Sequence, residues 1–75
     1  MKMIIHPYNY KGRDFAKIIL DDKIEMLIMD IKPTDKLNDL NSLAQEMRLR
    51  GFTCSADFNF KKFICSREIA IKKVV

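Results

Sequence analysis

The stretch Thr34–Arg50, TDKLNDLNSLAQEMRLR, closed by Gly51, decides how the rest of the chain is read. Leu37, Leu40, Leu43, Ala44 and Met47 recur at steps of three and four, which places them on one face of an α-helix. Pro33 ends a strand arriving from Ile31, because its ring fixes φ and removes a donor. Thr34 or Asp35 can then cap the helix by accepting from an unpaired backbone N–H. Asp35 and Asp39 lie near the positive end of the helix dipole, Arg48 and Arg50 near the negative end. Glu46 and Arg50 form an oriented i,i+4 pair. Gly51 supplies the left-handed stop, after which Phe52 folds back on the last turn. A single narrow apolar stripe needs cover, and no second helix of similar clarity is present. The helix is therefore expected on a sheet.

The strands are sought on either side. Met1 to His6 reads as a short first strand, and His6 to Asp14 as a loop punctuated by Pro7, Asn9 and Gly12. Phe15–Leu20 and Lys23–Ile31 read as a hairpin turning at Asp21-Asp22, with Ile19 opposite Ile24, Lys17 opposite Met26 and Phe15 opposite Ile28. Helical spacing of Phe15, Ile18, Ile19 and Asp22 keeps a helix over Asp14–Asp22 as the alternative. Met26 to Met29 is apolar on both sides, as in a central strand or one meeting a partner chain. After the helix, Phe52, Cys54, Ala56, Phe58 and Phe60 alternate with polar residues, a strand pattern. A turn about Asn59-Phe60 puts Cys54 opposite Cys65, Ala56 opposite Phe63 and Asp57 opposite Lys62. The last strand is expected to run through Ile71, with Lys72-Lys73 before Val74 blunting an edge. The order β-β-β-α-β-β predicts a single α+β domain over residues 1–75, an antiparallel sheet of four to five strands with one helix on one face.

Composition narrows the class. The chain has 75 residues, 48% of them hydrophobic, with two Gly and two Pro, which favours a compact fold over disorder. A domain this small buries only about 60% of its unfolded surface, so its core must be dense. Two cysteines are too few for a disulfide scaffold and point to a reduced, cytoplasmic protein. Met3-Ile4-Ile5 is too short for the apolar core of a signal peptide, and no run approaches a membrane span, so no membrane partner is expected. Fourteen basic against ten acidic residues give a net charge of +4, a lean toward anionic partners. From Gly51 onward five cations face two acids, so most of the excess sits at the C-terminal end. Abundant Ile and Lys with scarce Gly, Ala and Trp resembles the usage of small accessory proteins of AT-rich genomes, phage-encoded ones included.

Chemistry is sparse. Cys54, Cys65 and His6 lack the close ligand pairs that zinc sites use, and both cysteines fall on apolar strand faces, so they read as small core residues. A cross-strand disulfide is the other option for the pair. His6 has no nucleophile tied to it among Ser42, Ser55 and Ser66, and Asp21-Asp22 reads as a turn. Arg50-Gly51-Phe52 is similar to the start of an RNA-recognition motif, but Thr53 and Cys54 break the pattern and a helix stop explains the tripeptide. Neither an enzyme nor a cofactor is expected.

Two surfaces remain. Tyr8, Tyr10, Lys11 and Arg13 interleave aromatics with cations, suited to protein interfaces or to stacked bases and phosphates. Lys61-Lys62 lies at a turn among Phe58, Phe60 and Phe63. The expectation is a binding module that docks on a larger protein or complex and modulates or inhibits it, with homodimerisation through Met26–Met29 fitting the same residues. Nucleic-acid binding through the aromatic-basic loop and the C-terminal lysines is the alternative.

Overall fold

The computed structural model describes residues 1–69. Strands β1 (Met3–Tyr10), β2 (Arg13–Leu20) and β3 (Ile24–Asp30) precede helix α1 (Leu37–Arg48), and β4 (Thr53–Asp57) and β5 (Lys62–Glu68) follow it. They form one antiparallel sheet in the order β1-β2-β3-β5-β4 with the helix packed on one face, the α+β architecture expected. The expectations for Ile71, Lys72, Lys73 and Val74 lie outside the described residues.

The first strand is longer than its sequence suggests, and Asp14–Leu20 is strand, not the alternative helix, with Asp21 and Asp22 in the turn. β1 runs straight through Pro7 to Tyr10, because β1 is an edge and the missing Pro7 N–H costs no ladder bond inside the sheet. What reads as a loop is a two-residue hairpin. Lys11 (φ 50°) and Gly12 (φ 79°) both take the left-handed conformation that matches the twist of paired strands. The Asn9 side chain fastens it, accepting from the Gly12 N–H at 3.2 Å and donating to Asp14 at 2.9 Å.

The β2–β3 register is one residue away from the expected one. Leu20 pairs with Ile24 and Ala16 with Ile28, so Phe15 lies on the same side as Met29 and not opposite Ile28. Lys23 joins Asp21 (φ 50°) and Asp22 (φ 54°) in the turn, its N–H donating to the Leu20 carbonyl at 2.9 Å. That extra turn residue exchanges the faces of the partner positions, since side chains alternate with period two. The Cys54–Cys65, Ala56–Phe63 and Asp57–Lys62 pairs of β4 and β5 stand as expected.

Helix α1 begins at Leu37, three residues later than expected. Asp35 does not cap it; its carboxylate accepts from the Lys32 N–H at 2.8 Å and from Arg13 at 2.8 Å. Leu37 is 61% exposed, so the buried stripe is Leu40, Leu43 and Met47. Nor does Arg50 pair with the Glu46 carboxylate: it donates to the Glu46 carbonyl, while the carboxylate serves Lys11 and Tyr10. The stop is as read. Gly51 has φ 88° and donates to the Arg48 carbonyl, and the Phe52 N–H reaches back to Met47, a Schellman motif.

The core lies between α1 and the sheet: Leu40, Leu43 and Met47 meet Phe15, Leu27, Met29, Phe52, Phe63 and Cys65. Cys54 and Cys65 are joined as a disulfide, which corrects their reading as separate core thiols. They are direct cross-strand partners with Cα atoms 4.0 Å apart, close enough for the side chains on one face to bond.

Candidate docking surfaces

The sequence points to Tyr8, Tyr10, Lys11 and Arg13 as one working surface, and the fold gives each of them an intramolecular task. Tyr8 tilts against Phe15, ring centroids 6.1 Å apart, with the Lys17 ammonium 5.5 Å from its own ring. Tyr10 packs on the core, its ring 5.5 Å from the Lys11 ammonium and 4.9 Å from the Arg50 guanidinium. Its hydroxyl donates to Glu46 at 3.3 Å. Lys11 forms an ion pair with Glu46 that raises the lysine pKa and lowers that of the acid, the direct hydrogen bond being the main cause on both sides.

Arg13 is bound still more firmly. It meets Asp35 at 2.8 Å, where the carboxylate is 8% exposed, and comes within 3.8 Å of Met29 Sδ. The Asp35 pKa is held below the usual carboxylate range, first by the Lys32 N–H and then by Arg13. These contacts latch the β1–β2 hairpin and the β3–α1 connection together. At the other end of β3, Glu25 is also buried, clamped by Arg67 at 3.1 Å and Lys17 at 4.0 Å. Arg67 also lies over the Phe52 ring, 4.3 Å from its centroid.

The second sequence-derived surface, Lys61 and Lys62, is split by the turn. Lys62 pairs with Asp30 across the sheet. Lys61 sits at φ 54°, exposed, its carbonyl accepting from the Ile31 N–H. β4 ends at Asp57, three residues earlier than the alternation through Phe60 implies, because the Asp57 carboxylate accepts from the N–H groups of Asn59 (3.0 Å) and Phe60 (3.1 Å). That side-chain turn replaces the strand ladder. Phe58 and Phe60 thereby leave the core face and stand 58% and 77% exposed. A shallow depression lined by Ile31, Lys32, Pro33, Asp35 and Lys61 adjoins Phe58. Strand alternation hid this feature; the signal available was Asp57 with Asn59 before two lysines, a turn-forming set.

A third surface was not singled out by sequence reading. On the sheet face away from α1, cross-strand partners line up as apolar rows. Met3, Leu20 and Ile24 form one; Ile5, Ile18 and Met26 the next; Pro7, Ala16, Ile28 and Ile64 the third. Met3 and Ile5 are each 58% exposed and Ile24 is 39% exposed. β3 lies inside the sheet with both edges paired, so Met26–Met29 has no free backbone edge for a partner chain. Its Met26 and Ile28 side chains belong to this open face.

His6 sits opposite Lys17 in the β1–β2 pair and is exposed. Among the described residues no three His, Cys, Asp or Glu side chains gather in a way that could hold a metal ion, and no helix is long and apolar enough to cross a membrane. Comparison with protein-family models, with curated proteins and with solved structures gave no match.

Proposed function

We propose that this chain is a non-enzymatic docking module that engages a larger protein through the Phe58–Lys61 turn and modulates or inhibits it. The observation that carries this is the exposure of Phe58 and Phe60 on a turn pinned by Asp57. Single exposed apolar residues are ordinary, but two aromatics on a preordered turn lose little entropy on binding and are suited to act as anchors. Lys61 and Lys32 are exposed beside them, while the nearby acids Asp30, Asp35 and Asp57 are occupied by Lys62, Arg13 and the turn itself. The complementary partner is an apolar pocket with an acidic rim. The placement of His6 against Lys17, away from any serine, supports the non-enzymatic reading. The disulfide argues for an oxidising setting over the cytoplasm that two cysteines alone suggest.

Affinity capture from the source cell tests this, comparing the native chain with the Phe58→Ala/Phe60→Ala variant, with and without nuclease. A nuclease-resistant complex that the variant loses is the expected result. Equal recovery by both proteins would remove the turn from the proposal.

Nucleic-acid binding is the second reading, resting on the net charge of +4. The pairing of Lys11 with Glu46 and Arg13 with Asp35 counts against it, because paired cations release fewer counterions from phosphates. It requires binding to DNA or RNA that weakens steeply with salt.

A further inference from the structure

We propose that the Cys54–Cys65 disulfide is a redox-sensitive clasp on the docking turn. Oxidised, it holds the Phe58–Lys61 turn in place; reduced, it lets the β4 arm leave the sheet and ends docking. The functional half of this inference rests on the docking role given to that turn, whereas the clasp itself is read from the β4–β5 hairpin alone.

Little besides the bond ties the arm down. β4 is an edge strand with β5 as its one neighbour. From Thr53 to Lys61 no residue is buried: Cys54 and Asp57 are half-buried, and the others are exposed. A segment that buries so little apolar surface opens before the core does. Its two ends are anchored separately. Phe52, 5% exposed, is fixed by the helix stop. At the other end the Lys61 carbonyl accepts from the Ile31 N–H, and Lys62 pairs with Asp30. Between these anchors stand the ladder to β5, the Asp57 turn and the disulfide.

The position of the bond decides what it controls. A Cα separation of 4.0 Å marks Cys54 and Cys65 as a non-hydrogen-bonded pair, so the neighbouring Ser55 N–H points at β5. Cys65 is fully buried on a strand paired on both sides, which makes it a fixed post. The loop closed on that post has a sequence separation of 11 and contains the whole Phe58–Lys61 turn. While the bond stands, Ser55 separates from β5 only if the post moves, and that opens the core. Once the bond is cut, the arm detaches alone. Phe58 then leaves the depression it lines with Ile31 and Pro33, and binding must bear the cost of ordering the turn again.

The reductant is a thiol or dithiol. Its thiolate attacks Sγ of the half-buried Cys54, a mixed disulfide forms as the S–S bond breaks, and Cys65 Sγ leaves with the electron pair and takes a proton. A second thiol group displaces Cys54 from the mixed disulfide. Both cysteines end as thiols and the reductant as a disulfide, with two electrons and two protons passed to the protein.

Amide hydrogen exchange, followed by nuclear magnetic resonance on the full chain with and without dithiothreitol, tests the clasp. Reduction is expected to speed exchange at Ser55 at least about tenfold more than exchange in β3, and reoxidation to restore it. No acceleration at Ser55 overturns the proposal. So does equal acceleration of Ser55 and β3, which would make the bond a staple of the whole fold. Capture from nuclease-treated lysate made without reductant then compares the oxidised chain with the reduced chain and with Cys54→Ala/Cys65→Ala. The reduced native chain keeps both sulfur atoms in the core and serves if the variant does not fold. Recovery of the complex is expected to fall at least about tenfold without the bond. Equal recovery overturns the redox control and leaves docking through the turn standing. Recovery of no complex by any form overturns the docking reading, and the control of docking with it, while exchange still reports the clasp.

Discussion

The two faces of this sheet are made from similar residues and meet different fates. Along β3, Leu27 and Met29 are 2% and 4% exposed beneath α1, while their neighbours Met26 and Ile28 are half-buried on the other side. One face is closed by a helix whose apolar stripe and stop are encoded locally. The other is apolar with no covering element among the described residues. Hydrophobic content therefore identifies surfaces that need cover, but the identity of the cover depends on what else the fold brings there.

The largest test of that contrast is a pair of substitutions on adjacent residues. Leu27→Ala opens a cavity under the helix and is expected to cost about 2–5 kcal/mol in chemical denaturation. Ile28→Ala, at a half-buried position on the open face, should cost less than half as much. Equal penalties would erase the distinction between the faces.

The disulfide belongs to the helix side alone. Cys54 and Cys65 close a loop with a sequence separation of 11, and a crosslink of that kind is worth about 2–4 kcal/mol. Denaturation with and without a reductant measures it directly.

Asp35→Asn unlatches the hairpin from the β3–α1 connection and is expected to cost about 1.5–3 kcal/mol, the range for charge-assisted hydrogen bonds. Because the folded Asp35 pKa lies below the ordinary aspartate value of 3.8, its contribution is complete above that value and is lost as pH falls through the lowered folded pKa. In the Asn variant, the acid limb of the stability profile should flatten. Glu46→Gln is expected to show the smallest effect, as an exposed pair is well screened. Its Glu46 contribution disappears toward acid and its Lys11 contribution above the usual lysine pKa, since the first is lowered and the second raised. Nuclear magnetic resonance titration of the Lys11 side chain should show its pKa returning toward 10.5 in the variant.

Legibility followed the range of the interactions. The helix stop at Gly51 and the Cys54–Cys65 register were readable, because each rests on residues that are near neighbours or that share one strict alternation. The β2–β3 register was not, since Lys23 can belong to turn or strand and one residue exchanges the faces. The Tyr8–Arg13 segment misled in another way. Tyr10, Lys11 and Arg13 look free in the chain, but their partners Glu46 and Asp35 lie 36, 35 and 22 positions away. Phe58 and Phe60 continue an alternation that Asp57 interrupts with its own side chain.

By itself the sequence determined the element order, the single amphipathic helix and the antiparallel α+β class, because periodicity, capping and turn chemistry act over a few residues. Only the tertiary structure decided the sheet order, which cations are neutralised, and that Phe58, Phe60 and the rows around Ile18 are left facing outward. Those outcomes depend on which strands become neighbours, and pairing between residues distant in the chain is set by the whole packed sheet, not by any one segment.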